Sequence, residues 1–261
     1  MRIALGLEYD GSAFCGWQTQ PTGCGVQDHL GKALEQFLQQ KVETVAAGRT
    51  DAGVHASAQV VHLDTDIQRE AYSWVRGTNT TLHPGARVVW ATTVPDDFHA
   101  RYSARARTYR YLLMNAPVAP AILKGKAGWH HRPLETERMQ MAAQTLVGEH
   151  DFSAFRDAEC QAKSPIRNLT RATVERRGEM IVFTLVANAF LHHMVRNIVG
   201  SLVYVGDGRQ PPEWIAGLMR QRDRREAAPT FMPDGLYLAG IEYDRAFTLP
   251  AFPSHPLVDT P

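Results

Sequence analysis

Ala46-Ala47-Gly48-Arg49-Thr50-Asp51-Ala52-Gly53-Val54-His55-Ala56-Ser57-Ala58-Gln59-Val60-Val61 is the stretch on which the reading of this chain turns. A β-type run, Val42 to Ala47, enters it, and an alternating run, Ser57 to Leu63, leaves it. Between the two, Gly48 and Gly53 bracket one carboxylate, Asp51, with Arg49 two residues before it. Glycine allows positive φ and close backbone approach, so the connection reads as a shaped loop between strands. The plainer reading is a turn in which Asp51 caps the backbone. Loops of this length held by rigid strands tend to carry function.

Working outward from that loop, Arg2 to Tyr9 alternates as a strand, and a Gly- and aromatic-rich loop runs from Asp10 to Pro21. Val26, Leu30, Ala33, Leu34, Phe37 and Leu38 then recur at helical spacing, giving a helix from Val26 to Gln39. After the loop and its second strand, Arg69 to Asn79 reads as helix and Ala86 to Val94 as strand. The order is β-α-β-β-α-β. The pattern restarts after Phe98: strand Thr108 to Met114, a long connection Asn115 to Pro133, helix Glu135 to Leu146, and a hairpin of Ile166 to Arg176 with Met180 to Ala187. Helices at Ala189 to Val205 and Pro211 to Arg220 and a closing strand, Leu236 to Tyr243, complete it; Gln221 to Pro233 reads as mobile. The fold class is therefore α+β, two ferredoxin-like or RRM-like β-α-β-β-α-β units with antiparallel sheets. The boundary falls between an N-terminal unit, 1–97, that carries the Asp51 loop and a C-terminal unit, 98–261. Two such units are expected to leave a central RNA-binding cleft.

The chain is long enough, at 261 residues and 44% apolar, to bury one large core or two medium ones. A net charge of +1 excludes a protein that coats nucleic acid by bulk charge. Only five of the 28 basic residues are Lys, and Arg suits bidentate phosphate contacts and stacking, although an Arg-biased genome explains the ratio equally well. The three cysteines, Cys15, Cys24 and Cys160, are odd in number and form no C-x-x-C pair. With no signal-peptide pattern and no apolar run long enough for a bilayer, the expectation is a soluble, reduced, cytoplasmic protein.

Two further stretches carry chemistry. Phe98 to Tyr111 holds four arginines and three tyrosines in fourteen residues. Alternation on an extended chain sends Arg101, Ser103, Arg105, Arg107, Tyr109 and Tyr111 to one face, offering guanidinium groups to phosphates and rings to bases. The bland alternative is a solvated strand edge guarded by Arg. Asn188 to Gly200 reads as a buried apolar helix, yet it holds Arg196, which needs an anionic partner if buried. No acid lies one turn away on that helix, so the partner comes from elsewhere, and Asp51 is a candidate; a surface Arg reaching off the helix is the alternative. His192 and His193 are adjacent and, on a helix, diverge by about 100°. They and His130-His131 lack metal-ligand spacing, and Gly23-Cys24-Gly25 lacks a dinucleotide fingerprint, so neither metal nor cofactor is expected. The charge run Arg220 to Glu226 reads as a solvated face or a mobile basic arm.

Together these stretches closely resemble the tRNA pseudouridine synthase A (TruA) family. The matching runs are Tyr9-Asp10-Gly11 with Gly16-Trp17-Gln18-Thr19-Gln20, Gly48 to Ala56, Phe98-His99-Ala100-Arg101, Tyr109-Arg110-Tyr111, Asn188 to Gly200 and Gly235 to Leu238, spread from first strand to last. The resemblance implies conversion of uridine to pseudouridine on the 3′ side of the anticodon stem-loop of tRNA, by a homodimer, with no cofactor or metal. It implies that Asp51 is the catalytic aspartate and that Tyr109 stacks on the target base. Arg196 would pair with that aspartate, Arg49 would serve RNA binding and base extrusion, and Leu236 would line the pocket. Arg101, Arg105 and Arg107 are the expected RNA contacts. The chemistry agrees: breaking uracil N1 from ribose C1′ and rejoining through C5 is redox-neutral and needs an ionised group near the flipped base. Two rival classes remain at this level. A non-catalytic RNA-binding protein would lack a reason for Asp51 beside Arg49, and a glycosidic hydrolase would want a second acid near Asp51.

Overall fold

The computed structural model describes residues 1–259. Contacts divide the chain into two compact units: Met1–Arg105 together with the described residues from Tyr237 onward, and Ala106–Leu236. Each is an α+β body built on a mostly antiparallel sheet.

In the first unit the order is β1 (Arg2–Tyr9), α1 (Val26–Leu38), β2 (Val45–Ala46), β3 (His55–Asp64), α2 (Ala71–Thr81) and β4 (Ala86–Val94). β1 lies between β4 and β3 and is antiparallel to both, and β2 runs antiparallel to β3, the pairing expected of a split β-α-β unit. Helix α1 buries the face its spacing announced, Val26, Leu30, Ala33, Leu34 and Leu38. Its start is set by Asp28, whose carboxylate accepts the Gly25 N–H at 2.9 Å. Phe37 meets Trp74 of α2 edge-on, so the two helices share one apolar layer.

The second unit runs β5 (Ala106–Asn115), β6 (Gly128–His130), α3 (Thr136–Gln144), β7 (Gly148–Asp151), β8 (Ile166–Arg177), β9 (Met180–Ala187), α4 (Met194–Gly206) and α5 (Glu213–Gln221). Its strands neighbour one another as β5-β9-β8-β7, antiparallel throughout, with β6 parallel to β5. β6 and β7 were not legible in the sequence: they are three and four residues long, too short for a period to show. α4 is apolar almost all round and is buried accordingly, with Ile198, Val199, Leu202 and Val205 fully enclosed.

The last strand, β10 (Leu236–Glu242), corrects the boundary drawn at residue 97. Tyr237 and Leu238 pair parallel to His55 and Ala56 of β3. That edge of β3 is open there because the short β2 covers only Val61 and His62. Ile241 of β10 and, beyond the strand, Tyr243, Phe247, Leu249 and Phe252 pack on a cluster of Ala4, Ala47, Val60, Trp90, Val94, Phe98 and Ala100. The aromatic tail thus completes the first unit's core, and Phe98 to Arg105 belongs with it.

His62 sits inside this core, its Nδ1 accepting the Ala100 N–H at 3.1 Å. Burial first, then the Arg2 and His99 charges, push its pKa down to about 4. The unfolded chain therefore binds more protons than the fold between pH 6.5 and 4, and stability falls as pH drops through that window. Acidification from pH 7 to 5 is expected to remove on the order of 2 kcal/mol through this residue. His62→Asn keeps an acceptor for Ala100, and its urea midpoint should be less pH-dependent than the wild type's over that range. Equal slopes would exclude His62 as the source.

Candidate active site

The loop between β2 and β3 is held from below and from one side, all within the first unit. Ala47 N–H reaches Val60 O at 2.8 Å and Gln59 Nε2 donates to Gly48 O at 2.7 Å, which close its base. The Thr50 hydroxyl lies 2.8 Å from the buried Tyr9 phenol, and the Thr50 carbonyl accepts the Trp17 N–H at 2.9 Å. Gly16, at φ +93, brings the 15–17 segment so close that a Cβ there would stand 2.9 Å from Thr50 O. At the loop's far end, Val54 N–H returns to Asp51 O at 3.1 Å, a tight turn through Gly53 at φ +80. Gly11 seals that turn: a Cβ on it would fall 2.0 Å from Val54 O, and its N–H donates to His55 Nδ1 at 3.0 Å. The His55 ring stacks on Tyr237 at 4.6 Å. On this frame Asp51 is half-buried and Arg49 exposed. Asp51 is therefore a carboxylate presented at the surface on a backbone tied to two strands.

The segment that braces Thr50 is itself cross-linked. Cys15 and Cys24 form a disulfide within the loop between β1 and α1, where Cys15 N–H also donates to Cys24 O at 3.0 Å. This corrects the expectation of unpaired thiols; the odd count arises because Cys160 alone is free among the described residues. Spacing could not reveal it, since a separation of 9 in sequence matches no standard motif. Thiol titration of unfolded, unreduced protein is expected to count one reactive thiol per chain, rising to three after a dithiol reductant. Three thiols before reduction would rule the cross-link out in solution.

The remaining expected residues lie on the second unit, apart from Arg101 and Arg105. Tyr109, on β5 opposite Leu185, is buried, and its ring meets Phe190 edge-on at 5.0 Å. Arg107, Tyr109 and Tyr111 share one face as the alternation required, but that face is the buried one. Arg107 is 8% exposed and donates to Asn188 O at 2.8 Å. Arg101 and Arg105 precede β5, Arg101 in a turn: Arg101 is exposed over the Tyr102 ring, and Arg105 is exposed and paired with Asp244. The strand begins only at Ala106, so the single-face reading of the whole Arg-Tyr stretch fails before that point.

Arg196 lies in the first turn of α4, half-buried, with Nε donating to Phe231 O at 2.8 Å and its own carbonyl accepting the Phe231 N–H. Beside it, burial and the Asp234 charge drive the Tyr111 phenol far up, with Arg196 acting in the opposite direction. Tyr111 stays a neutral donor to Met232 O at 2.9 Å. Leu236 is buried and joined to Pro233 O through its N–H. The helix starts later than its apolar run because His193 adopts φ +60. The two histidines consequently do not diverge: their rings stack at 3.9 Å, with His193 Nδ1 2.8 Å and His192 Nδ1 3.6 Å from the Asp157 carboxylate. Burial works against the Asp157 charge, yet the Glu159 N–H and the two rings hold its carboxyl below the usual range. Asp157 was not singled out from sequence, lying in a loop with no period.

The expected mobile arm is not free. Arg224 donates to Asn197 Oδ1, Ala228 O and Thr230 Oγ1, and Thr230 Oγ1 also donates to Asn197. The segment straps across α4, and Phe231 at its end is the residue that grips Arg196. The polar residue Asn197, in the middle of an apolar run, was the available signal.

A family model described as tRNA pseudouridine synthase matches residues 7–103 and 142–244 of the chain. The chain is 59% identical over 255 residues to the tRNA pseudouridine synthase A of Janthinobacterium sp. (strain Marseille), covering 95% of this chain and 94% of that protein. It is 56% identical over 250 residues to the enzyme of that name from Methylobacillus flagellatus, covering 96% of both. With that from Nitrosomonas eutropha it shares 56% over 252 residues, covering 97% of this chain and 91% of the other. With the matched residues spanning both units and including the whole Asp51 loop, the chain belongs to the tRNA pseudouridine synthase family.

Proposed function

We propose that this chain isomerises uridine to pseudouridine in the anticodon stem-loop of tRNA, with Asp51 as its catalytic group. The observation that carries the reading is a half-buried carboxylate on a backbone-anchored loop, within the family's Gly48-to-Ala56 motif. In the reaction the N1–C1′ bond breaks, the uracil turns, a C5–C1′ bond forms, the C5 proton leaves to water and N1 takes up a proton from water, so that substrate and product are isomers. No electron is gained or lost, so the chemistry calls for no redox group, and an ionised carboxylate at the reacting nucleotide is the protein's essential contribution.

A uridine paired in a stem must leave it before its C1′ is accessible, which costs stacking. Tyr109, braced edge-on by Phe190, is proposed to replace that stacking, and Leu236 to line the base pocket. Arg49, exposed two residues before Asp51, is assigned to the backbone of the extruded nucleotide, and Arg196 is proposed to keep the role that the family resemblance implies for it. Arg101, Arg105 and Arg107 are the further RNA contacts, the two exposed ones, Arg101 and Arg105, acting directly on phosphates. The protein is proposed to work as a homodimer in the cytoplasm; among the described residues no helix is long and apolar enough to cross a membrane.

Tritium release from tRNA labelled at uridine C5, in buffer containing EDTA and no added cofactor, tests the reading. Stoichiometric release with pseudouridine as product is the expected result. Binding of tRNA with no release would instead favour a non-catalytic RNA-binding protein, and free uracil among the products would favour a hydrolase.

A further inference from the structure

Three polar side chains lie where the first unit's core would otherwise take apolar ones. Tyr9 on β1, Thr50 in the loop and Gln59 on β3 are 5%, 6% and 0% exposed. Buried polar groups are costly unless paired, and these are paired with one another and with the loop. Tyr9 OH and Thr50 Oγ1 are 2.8 Å apart; Gln59 Nε2 donates to Gly48 O at 2.7 Å and makes a longer contact, 3.4 Å, with the Tyr9 oxygen. The Tyr9 phenol and the Thr50 hydroxyl share one hydrogen bond in which either oxygen can donate. Burial pushes the Tyr9 phenol up to about 12, against its bonds to Thr50 and Gln59, so it keeps its proton throughout the neutral range.

The consequence falls on Asp51. Thr50 is its immediate neighbour, and both polar ends of Thr50 are held, the hydroxyl by Tyr9 and the carbonyl by Trp17 N–H. Gly48, two residues earlier, is held by Gln59. β1 and β3 are joined independently of these bonds by a ladder from Arg2–Asp64 to Leu7–Gln59, which shifts register before the Tyr9–Ala56 pair. A Phe, Val and Leu in the same places would lack the polar groups that bond to Thr50 and Gly48. What the polar trio adds is a fixed origin for the peptide that carries the carboxylate.

We propose that Tyr9, Thr50 and Gln59 are positioning residues for Asp51, setting the rate of the chemical step rather than the affinity for tRNA. The proposal rests on the reading of Asp51 as the catalytic group. A misplacement near 1 Å of a reacting group lowers rates by about 100-fold, so loosening one anchor should cost on the order of 10- to 100-fold in the step itself. Binding made through exposed arginines should hardly change.

The test is single-turnover tritium release at saturating labelled tRNA, with tRNA affinity and melting temperature measured on the same proteins. The variants are Tyr9→Phe, which keeps the ring, Thr50→Val, which keeps the shape, Thr50→Ser, which keeps the hydroxyl, and Asp51→Asn. Support is a saturating rate lowered at least about tenfold in Tyr9→Phe and Thr50→Val with half-saturation within about twofold, and recovery in Thr50→Ser. Wild-type rates in Tyr9→Phe and Thr50→Val beside an inactive Asp51→Asn overturn the positioning role and leave the catalytic reading intact. Thr50→Ser as slow as Thr50→Val also overturns it, since the hydroxyl would then not be the operative group. An active Asp51→Asn overturns the reading beneath both.

Discussion

Replacing Asp51 by Asn is expected to lower tritium release from labelled tRNA by a factor on the order of 10³ or more, with tRNA affinity unchanged or raised. The two side chains are nearly isosteric, so the change removes charge and basicity and little else. The fold should survive it, because the loop is held by groups other than this carboxylate: Trp17 N–H on Thr50 O, Tyr9 on the Thr50 hydroxyl and Gln59 on Gly48 O. Removing one negative charge from a surface that meets phosphates should, if anything, favour association. Asp51→Glu separates charge from place. It restores the carboxylate one methylene out of position and is expected to regain part of the rate while staying about 100-fold below wild type. Melting temperatures within a few degrees of wild type would show that both losses are chemical. An Asn variant active within tenfold of wild type would remove Asp51 from the catalytic role.

The elements with a long period were legible and those without one were not. Helix α1 announced its buried face through Val26, Leu30, Ala33, Leu34 and Leu38, and the hairpin of β8 and β9 through its alternation and the Arg177-Gly178-Glu179 turn. β6 and β7 carry too few residues for any alternation to register. The return of β10 to the first unit is a consequence of how short β2 is, which leaves the Ala56 end of β3 open; no local pattern encodes that. At the candidate site, the identity of the loop was readable because glycines at 48 and 53 mark constrained backbone. What holds the loop was not, since Tyr9 and Gln59 look like ordinary strand residues until their partners are placed. Alternation correctly grouped Arg107, Tyr109 and Tyr111 but could not say that this face would be buried. The segment after Arg220 misled for a related reason: Arg224 looks like one charge among several, and only Asn197 at the centre of an apolar helix hints that a guanidinium is received there.

Asn197→Ala is expected to cost about 2–4 kcal/mol, the largest stability loss among single substitutions away from the apolar core. The side chain is wholly buried, and it donates to Phe155 O at 2.9 Å while its Oδ1 accepts from Arg224 Nη2 at 2.9 Å and Thr230 Oγ1 at 2.7 Å. Truncation leaves a buried carbonyl without that donor and a part-buried guanidinium without one of its acceptors, and the penalty for such groups exceeds the value of the bonds themselves. For a chain of this size the loss corresponds to a fall of about 5–15 °C in melting temperature. Thr230→Val removes the hydroxyl's two part-buried bonds, to Asn197 and from Arg224, leaves the Asn197 side chain in place and should cost about 1 kcal/mol, which makes it the control for a merely local effect. The larger change should also be visible in the strap, because the segment from Arg222 to Phe231 is fastened to α4 through Asn197 and Ser201. Trypsin is expected to cut after Arg222, Arg224 or Arg225 faster in Asn197→Ala than in Thr230→Val at equal fraction folded. Since Phe231 O holds Arg196 Nε, a loosened strap should lower the saturating rate of tritium release as well, in a variant that touches neither the Asp51 loop nor any exposed arginine. Wild-type cleavage rates with an unchanged melting temperature would mean that the Asn197 network carries little of the second unit's stability, and that Arg196 is oriented by other contacts.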